Sequence, residues 1–217
     1  MSKFKEFTVQ APRPLPVIVL ADVSGSMSVD GKIQALNLAV HEMLAAFQDE
    51  ADLRAEIHLA VITFGGAEAK LHLPLKPARV QTWSELGAGG RTPLGASLNL
   101  THALIEDREV IPSRAYRPTI VLVSDGIPTD SWRDPLKRLL ASERGGKAFR
   151  MTLAIGADAD RDMLRAFLDD PEGRVYEADD ARKIREFFQL VTMSVSSRSR
   201  SANPNSAPPP SDEDWDL

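Results

Sequence analysis

The chain has 217 residues, of which 43% are hydrophobic and 26% charged; it contains no cysteine and carries a formal net charge of -5 at pH 7. This length predicts one α/β domain with a tail rather than two domains, and the composition is that of a soluble protein with a buried core. The negative charge disfavours general binding to nucleic acid or to an anionic membrane, and the lack of cysteine excludes disulfides, thiolate metal sites and cysteine nucleophiles.

Apolar runs and helical periodicity predict strands that alternate with helices along the chain. In chain order they are a strand at 17–20, a helix at 32–48, strands at 57–64 and 69–73, a helix at 94–105, a strand at 119–123, a helix at 135–142, a strand at 149–155, a helix at 162–168, a strand at 174–176 and a helix at 181–193. Pro74 follows the strand at 69–73 and places it at a sheet edge. The pattern predicts an α/β fold: a doubly wound, mainly parallel sheet with one antiparallel edge strand and helices on both faces.

Composition divides the chain into three segments. We assign residues 1–15 to an N-terminal extension, 16–193 to the domain, and 194–217 to a Ser/Pro-rich tail with an acidic end, which we expect to be disordered. The N-terminal segment lacks the apolar stretch of a signal peptide, and no apolar run near it approaches the ~20 residues of a membrane span. We therefore expect a cytoplasmic protein with no membrane partner.

Oxygen-bearing side chains follow the predicted strands where parallel strands end. Asp22, Ser24 and Ser26 follow the first strand, Thr92 precedes a helix, and Asp125 follows the strand at 119–123. Each feature alone is more typical of a helix cap or a turn. In a parallel sheet, however, ligands bind at the carboxyl ends of strands, and a set of hydroxyls and carboxylates selects Mg²⁺ or Mn²⁺, with Ca²⁺ less favoured. The sequence therefore predicts a metal site at a solvent-facing rim.

These motifs resemble those of the von Willebrand factor A (vWA) family. DVSGS at Asp22 is similar to its DxSxS motif, Thr92 to its lone threonine, and SDG at Asp125 to its T/S-D-G motif. The resemblance covers residues 16–193 and implies the Rossmann-like vWA fold with a metal-ion-dependent adhesion site (MIDAS). It further implies that Ser24, Ser26 and Thr92 ligate the metal directly, while Asp22 and Asp125 hold it directly or through water.

The resemblance also implies a function. Neutral hydroxyl ligands leave a cation electrophilic, so a carboxylate of a partner's Asp or Glu can displace one of its waters. GGRTPLG and SDGIPTD resemble the bacterial tellurite-resistance-associated (TerY-like) vWA proteins, which implies a stress-response role beside a kinase or a PP2C-type phosphatase. We therefore expect a protein-binding module rather than an enzyme.

Two alternatives stay open. One is a metal-dependent phosphohydrolase of the haloacid dehalogenase type, which would need an acid/base aspartate where this chain has Ser24. The other is a structural scaffold whose metal only stiffens loops.

The end of the predicted tail is acidic. Residues 211–217 contain four acidic side chains and Trp215, with no basic residue. One interpretation is a solvated tail. The other is that the segment reaches the metal site of its own domain or of a second copy, which predicts autoinhibition or tail-mediated self-association.

Overall fold

The computed structural model describes residues 12–50 and 55–206. Within these ranges the strands are β1 (Arg13–Asp22), β2 (Ala55–Gly65), β3 (Glu68–Pro77), β4 (Thr119–Ser124), β5 (Phe149–Ile155) and β6 (Val175–Ala178). The helices are α1 (Lys32–Gln48), α2 (Leu94–Glu106), α3 (Arg133–Ala141), α4 (Arg161–Leu168) and α5 (Ala181–Arg200). Short 3₁₀ turns occur at Gly25–Ser28 and Ala78–Val80.

The strands form one sheet in the order β3-β2-β1-β4-β5-β6. Every neighbouring pair is parallel except β2 and β3, which pair antiparallel at the edge. The chain winds outward from β1 to β3 and then returns to place β4 on the other side of β1. The predicted fold is confirmed, and β1 and β4 meet at the switch point where such sheets bind ligands.

Helices cover both faces of the sheet. Successive side chains of a strand point to opposite faces, so Val17 and Val19 of β1 pack in one core with α1 and α5. Ile18 and Leu20 pack in a second core with α2, α3 and α4. Burial on both faces explains why β1 is apolar without alternation. Among the described residues, no helix is both long enough and apolar enough to cross a membrane.

Among the strands, β1 and β3 extend furthest past their predicted limits. β1 begins at Arg13, so residues 13–15 belong to the sheet and not to an N-terminal extension, and Leu15 is buried. β3 continues through Pro74 to Pro77. Proline is tolerated there because an edge strand pairs on one side only, and the pairing with β2 shifts register nearby.

The last helix is also longer than predicted. α5 continues from residue 193 to Arg200, and the side chain of Arg198 is buried. Beyond the helix, the side-chain oxygen of Asn205 accepts a hydrogen bond from the backbone N–H of Arg117, at 2.8 Å. Residues 194–206 therefore pack at the amino edge of the sheet, and the prediction that the tail starts at residue 194 is wrong for this part. Residues 207–217, including the acidic end, lie outside the described residues.

Candidate metal centre

Asp22 ends β1 in a fully enclosed position. Its side chain is 0% exposed, its Oδ1 accepts the backbone N–H of Ser24 at 2.9 Å, and its Oδ2 accepts the hydroxyl of Ser124 at 2.7 Å. Ser124 ends β4, the strand next to β1. Burial raises the pKa of Asp22 above its ordinary value, although the hydrogen bonds from Ser24 and Ser124 act in the opposite direction. The carboxyl group of Asp22 is thus buried and held in one orientation.

A chain of oxygen atoms joins the loop after β1 to the loop after β4. The hydroxyls of Ser24 and Ser26 are 3.0 Å apart, and the Ser26 hydroxyl donates to Oδ1 of Asp125 at 2.7 Å. Asp125 and Ser24 are buried, whereas Ser26 is exposed. The 3₁₀ turn that contains Ser26 directs its hydroxyl back towards Asp125.

Thr92 brings a third loop to the same place. A Cβ atom added to Gly126 would lie 3.8 Å from the Ser26 hydroxyl and 3.9 Å from the Thr92 hydroxyl, so both hydroxyls border the same small space. Thr92 is held by Thr129, since the Thr92 N–H donates to the Thr129 hydroxyl at 3.1 Å and the Thr129 N–H donates to the Thr92 carbonyl at 2.9 Å. The structure thus gathers all the predicted side chains, here called the oxygen cluster: Asp22, Ser24, Ser26, Thr92 and Asp125.

The expectation of a solvent-facing rim is wrong for most of the cluster. Asp22, Ser24, Thr92 and Asp125 are buried, and the glycine-rich loops next to them pack directly against one another. The Gly25 N–H donates to the Gly90 carbonyl at 3.0 Å, and two isolated bridges connect residues 90 and 91 with residue 66, in the turn between β2 and β3. Ser26 is the one exposed member of the cluster, so access to the cluster is from the side of Ser26.

The close approach of these loops leads to a testable prediction. Gly90 has a φ of +77°, and a Cβ added there would lie 2.3 Å from the Cα of Gly66. We expect Gly90→Ala to lower the free energy of unfolding by about 1–3 kcal/mol, because the strained loop must move away from residue 66. Gly87→Ala is the matched control, since its added Cβ meets nothing within 4 Å. Urea unfolding in EDTA measures both; equal effects would contradict the packing described above.

Three contributions to the site escaped the sequence prediction. Ser124, next to Asp125 in the SDG motif, orients Asp22, and the motif itself was the available signal. Asp130 caps α2 from a distant loop: its carboxylate accepts the N–H of Gly95 at 2.8 Å and that of Ala96 at 2.9 Å. No local signal indicates this contact, because the partners are 34–35 residues apart.

Lys32, in the first turn of α1, is the third. Its Nζ donates to Oδ2 of Asp125 at 2.8 Å, and its side chain is 19% exposed. The two residues are 93 positions apart, and the sequence offers no signal for the pair.

The donor atoms fit a hard divalent cation. The oxygen cluster provides two carboxylates and three hydroxyls, and nitrogen and sulfur ligands are absent from it. In the described part of the chain, no group of three His, Cys, Asp or Glu side chains forms a metal site, so a cation here depends on hydroxyl ligands. Because Gly126 has no side chain, there is space between the hydroxyls of Ser26 and Thr92. Such an all-oxygen set favours Mg²⁺ or Mn²⁺.

Curated relatives match the chain over a limited part of their length. An uncharacterized protein of Mycobacterium tuberculosis is 36% identical over 132 residues, which are 59% of this chain and 20% of that protein. The 60 kDa subunit of magnesium chelatase from Rhodobacter capsulatus is 30% identical over 146 residues, which are 66% of this chain and 24% of the subunit. The matched part of this chain thus spans a quarter or less of either relative.

Solved structures share the fold at low sequence identity. A von Willebrand factor type A structure from Catenulispora acidiphila has a TM-score of 0.65 and 20% identity, covering 85% of this chain and 42% of that one. Proximal thread matrix protein 1 from the mussel byssus, with zinc in its MIDAS motif, has a TM-score of 0.64 and 17% identity, covering 84% and 48%.

The sequence model of one family matches residues 17–127 and is described as the von Willebrand factor type A domain. This segment runs from β1 to just beyond β4 and contains every residue of the oxygen cluster. Family match, sheet order and the placement of these side chains agree, and the chain belongs to the von Willebrand factor type A domain family.

Proposed function

We propose that this chain is a metal-dependent protein-binding module, which holds Mg²⁺ or Mn²⁺ in the oxygen cluster and captures an Asp or Glu carboxylate of a protein partner. The observation that carries the proposal is the convergence of three loops: the hydroxyls of Ser24, Ser26 and Thr92 lie with the carboxylates of Asp22 and Asp125 at the switch point of the sheet. The zinc in the MIDAS motif of the mussel protein supports occupation by a divalent cation.

The chemistry of the ligands favours capture of an acid. Hydroxyl groups are neutral, so two carboxylates are the only anionic ligands that the cluster offers to a divalent cation. Mg²⁺ prefers six oxygen ligands at ~2.1 Å and usually keeps several waters. A carboxylate from a partner can replace one of these waters. The bound metal would supply the positive charge at this position, while the three loops, which pack against one another, hold the protein ligands in place.

The phosphohydrolase alternative has less support. Such an enzyme needs a nucleophilic carboxylate and an acid/base residue two positions later. Asp22 is enclosed, with both oxygens hydrogen-bonded, and the second position is Ser24, a hydroxyl that contacts Ser26. A non-catalytic role is therefore part of the proposal.

The biological setting is proposed from the motifs GGRTPLG and SDGIPTD. Their similarity to TerY-like proteins supports a place in a bacterial tellurite-resistance or stress-response module in the cytoplasm. The partner would be a kinase or a PP2C-type phosphatase of the same module, without nucleic acid or membrane. A pull-down of such candidates in Mg²⁺ and in EDTA tests this assignment.

The proposed capture is tested with two peptides that differ only in Glu or Gln. We expect the Glu peptide, titrated into protein saturated with Mg²⁺, to shift the amide NMR signals of residues 24–26 and 89–92, and EDTA or the Gln peptide to abolish the effect. Binding of metal with equal responses to both peptides would indicate the scaffold instead. Metal-dependent hydrolysis of p-nitrophenyl phosphate that Asp22→Asn removes would indicate the phosphohydrolase.

A further inference from the structure

A positive side chain that no motif of the sequence predicts lies beside the oxygen cluster. The ammonium of Lys32 contacts one carboxylate oxygen of Asp125 at 2.8 Å, and Ser26 donates to the other at 2.7 Å. On its other side the lysine faces the turn after β5, where a Cβ added to Gly156 would lie 3.8 Å from Nζ. Lys32 is thus inserted between the carboxyl ends of β4 and β5, beside the proposed cation.

Two charged residues close to Lys32 and Asp125 use their side chains elsewhere. Arg161, which also reaches the Gly156 turn, pairs with Glu177 at 2.7 Å. Asp160, whose N–H contacts the Gly126 carbonyl, uses its carboxylate to cap α4 through the N–H of Met163. The carboxylates of Asp22 and Asp125 and the ammonium of Lys32 are therefore the innermost charges of the site.

The balance of these charges has opposite consequences for a cation and for an acid. Two carboxylates and one ammonium leave a charge of -1, so a divalent cation would bring the site to +1, whereas without the lysine the loaded site would be neutral. The ammonium therefore repels the cation and occupies an oxygen of Asp125. Once the cation is bound, the same ammonium provides the excess positive charge that attracts a carboxylate.

We propose that Lys32 is a specificity-determining residue of the site: it weakens binding of the divalent cation and strengthens binding of an acidic partner to the loaded site. This inference rests on the proposed function. Lys32 acts as a second positive group beside the divalent cation. Both groups attract a carboxylate more strongly than a neutral amide, so both contribute to the preference for an acid. The site would then load only when cation is plentiful, and would select acids strongly once loaded.

Lys32→Met tests the proposal, because methionine keeps the aliphatic length and removes the charge. Mn²⁺ affinity is measured by calorimetry without any acid, and the affinity of N-acetyl-glutamate α-methylamide is measured by NMR at saturating Mg²⁺. We expect the Mn²⁺ dissociation constant to fall and that of the blocked glutamate to rise, each by roughly three- to tenfold. Lys147→Met, an exposed lysine that precedes β5 at the opposite edge of the sheet, is the control for net charge and should change neither constant. Lys32→Arg keeps the positive charge, so it should change the two dissociation constants only slightly.

The outcomes separate this inference from the proposed function. If the wild-type protein binds no Mn²⁺, the proposed function itself fails. If the wild type binds both probes and Lys32→Met moves both constants in the same direction, or neither, Lys32 has only a structural role and the inference is overturned. Thermal unfolding in EDTA verifies that the variant is folded, and Lys32→Gln repeats the measurement if it is not.

Discussion

Replacing Asp22 with asparagine is expected to weaken Mn²⁺ binding by about a hundredfold or more, because the change removes one of the two carboxylates at the proposed cation. The metal-free protein should keep its fold. The asparagine oxygen can still accept the N–H of Ser24, and its amide can donate to the hydroxyl of Ser124, so both hydrogen bonds of the wild-type side chain have a replacement.

The variant should be at least as stable as the wild type in EDTA. Burial raises the pKa of Asp22 above 3.8, so the folded protein holds the proton of this carboxyl more tightly than the unfolded chain does. The resulting loss of stability is absent below pH 3.8, grows as the pH rises from there to the folded-state pKa, and is fully present above that pKa. Asparagine avoids this cost, whereas a bound cation offsets it in the wild type.

Calorimetry with Mn²⁺ tests the expected loss of metal affinity. Thermal unfolding with and without Mn²⁺ tests the expected stability of the variant. The melting temperature of the wild type should rise with Mn²⁺, and that of Asp22→Asn should not. Asp162→Asn is the matched control, since this side chain in the first turn of α4 is 95% exposed. Unchanged Mn²⁺ affinity in Asp22→Asn would reject Asp22 as a metal-site residue, and a melting temperature several degrees lower in EDTA would reject the account of its buried charge.

Arg198→Ala is expected to lower the free energy of unfolding by about 3–5 kcal/mol. The Arg198 side chain is 1% exposed, donates to the carbonyl of Pro204 at 3.0 Å and to that of Arg117 at 2.7 Å, and also hydrogen-bonds the hydroxyl of Thr119. Its guanidinium lies 4.0 Å from the centre of the Phe149 ring. Alanine would leave a cavity and deprive these buried groups of their donor.

The charge of Arg198 is part of this arrangement. Burial lowers the pKa of Arg198 to about 10, with a smaller contribution from the charge of Arg117, so the group stays charged at neutral pH. Two carbonyls, a hydroxyl and an aromatic face compensate for the hydration that the guanidinium loses on burial. The side chain thus joins the end of α5 and the segment after it to the amino ends of β4 and β5.

Urea unfolding measures the effect, with Arg182→Ala as the control. Arg182 lies at the other end of α5, is 65% exposed and pairs with Glu186 one turn later. Removal of such an exposed pair costs less than about 1 kcal/mol. Comparable losses in the two variants would show that Arg198 does not hold the end of the chain in place.

The anchored segment also changes the expectation for the acidic end. A linker that is free from residue 194 is ruled out by the helix and by the contacts of Arg198 and Asn205, which lie at the edge of the sheet opposite the oxygen cluster. Docking of residues 211–217 on a metal site, in the same molecule or in a second copy, stays a prediction, and these residues lie outside the described ranges.

The order and type of the strands and helices can be predicted from the amino-acid sequence. Residues 17–20 and 119–123 are apolar throughout because β1 and β4 are buried on both faces, and this requirement is visible in a single strand. Parallel strands end at the same edge, so their order also predicted that the loops with Asp22 and Asp125 would meet. These inferences need only local patterns and one rule of topology.

The surroundings of those side chains depend on how distant parts of the chain pack together. Four of the five side chains of the oxygen cluster are buried, the loop at Gly90 packs against Gly66, and the contact of Lys32 with Asp125 gives the cluster a positive neighbour. The position of Arg198 likewise decides where the domain ends. Each of these features depends on distances between residues that are far apart in the chain. Periodicity and propensity describe a residue and its near neighbours, so they contain no information about such distances.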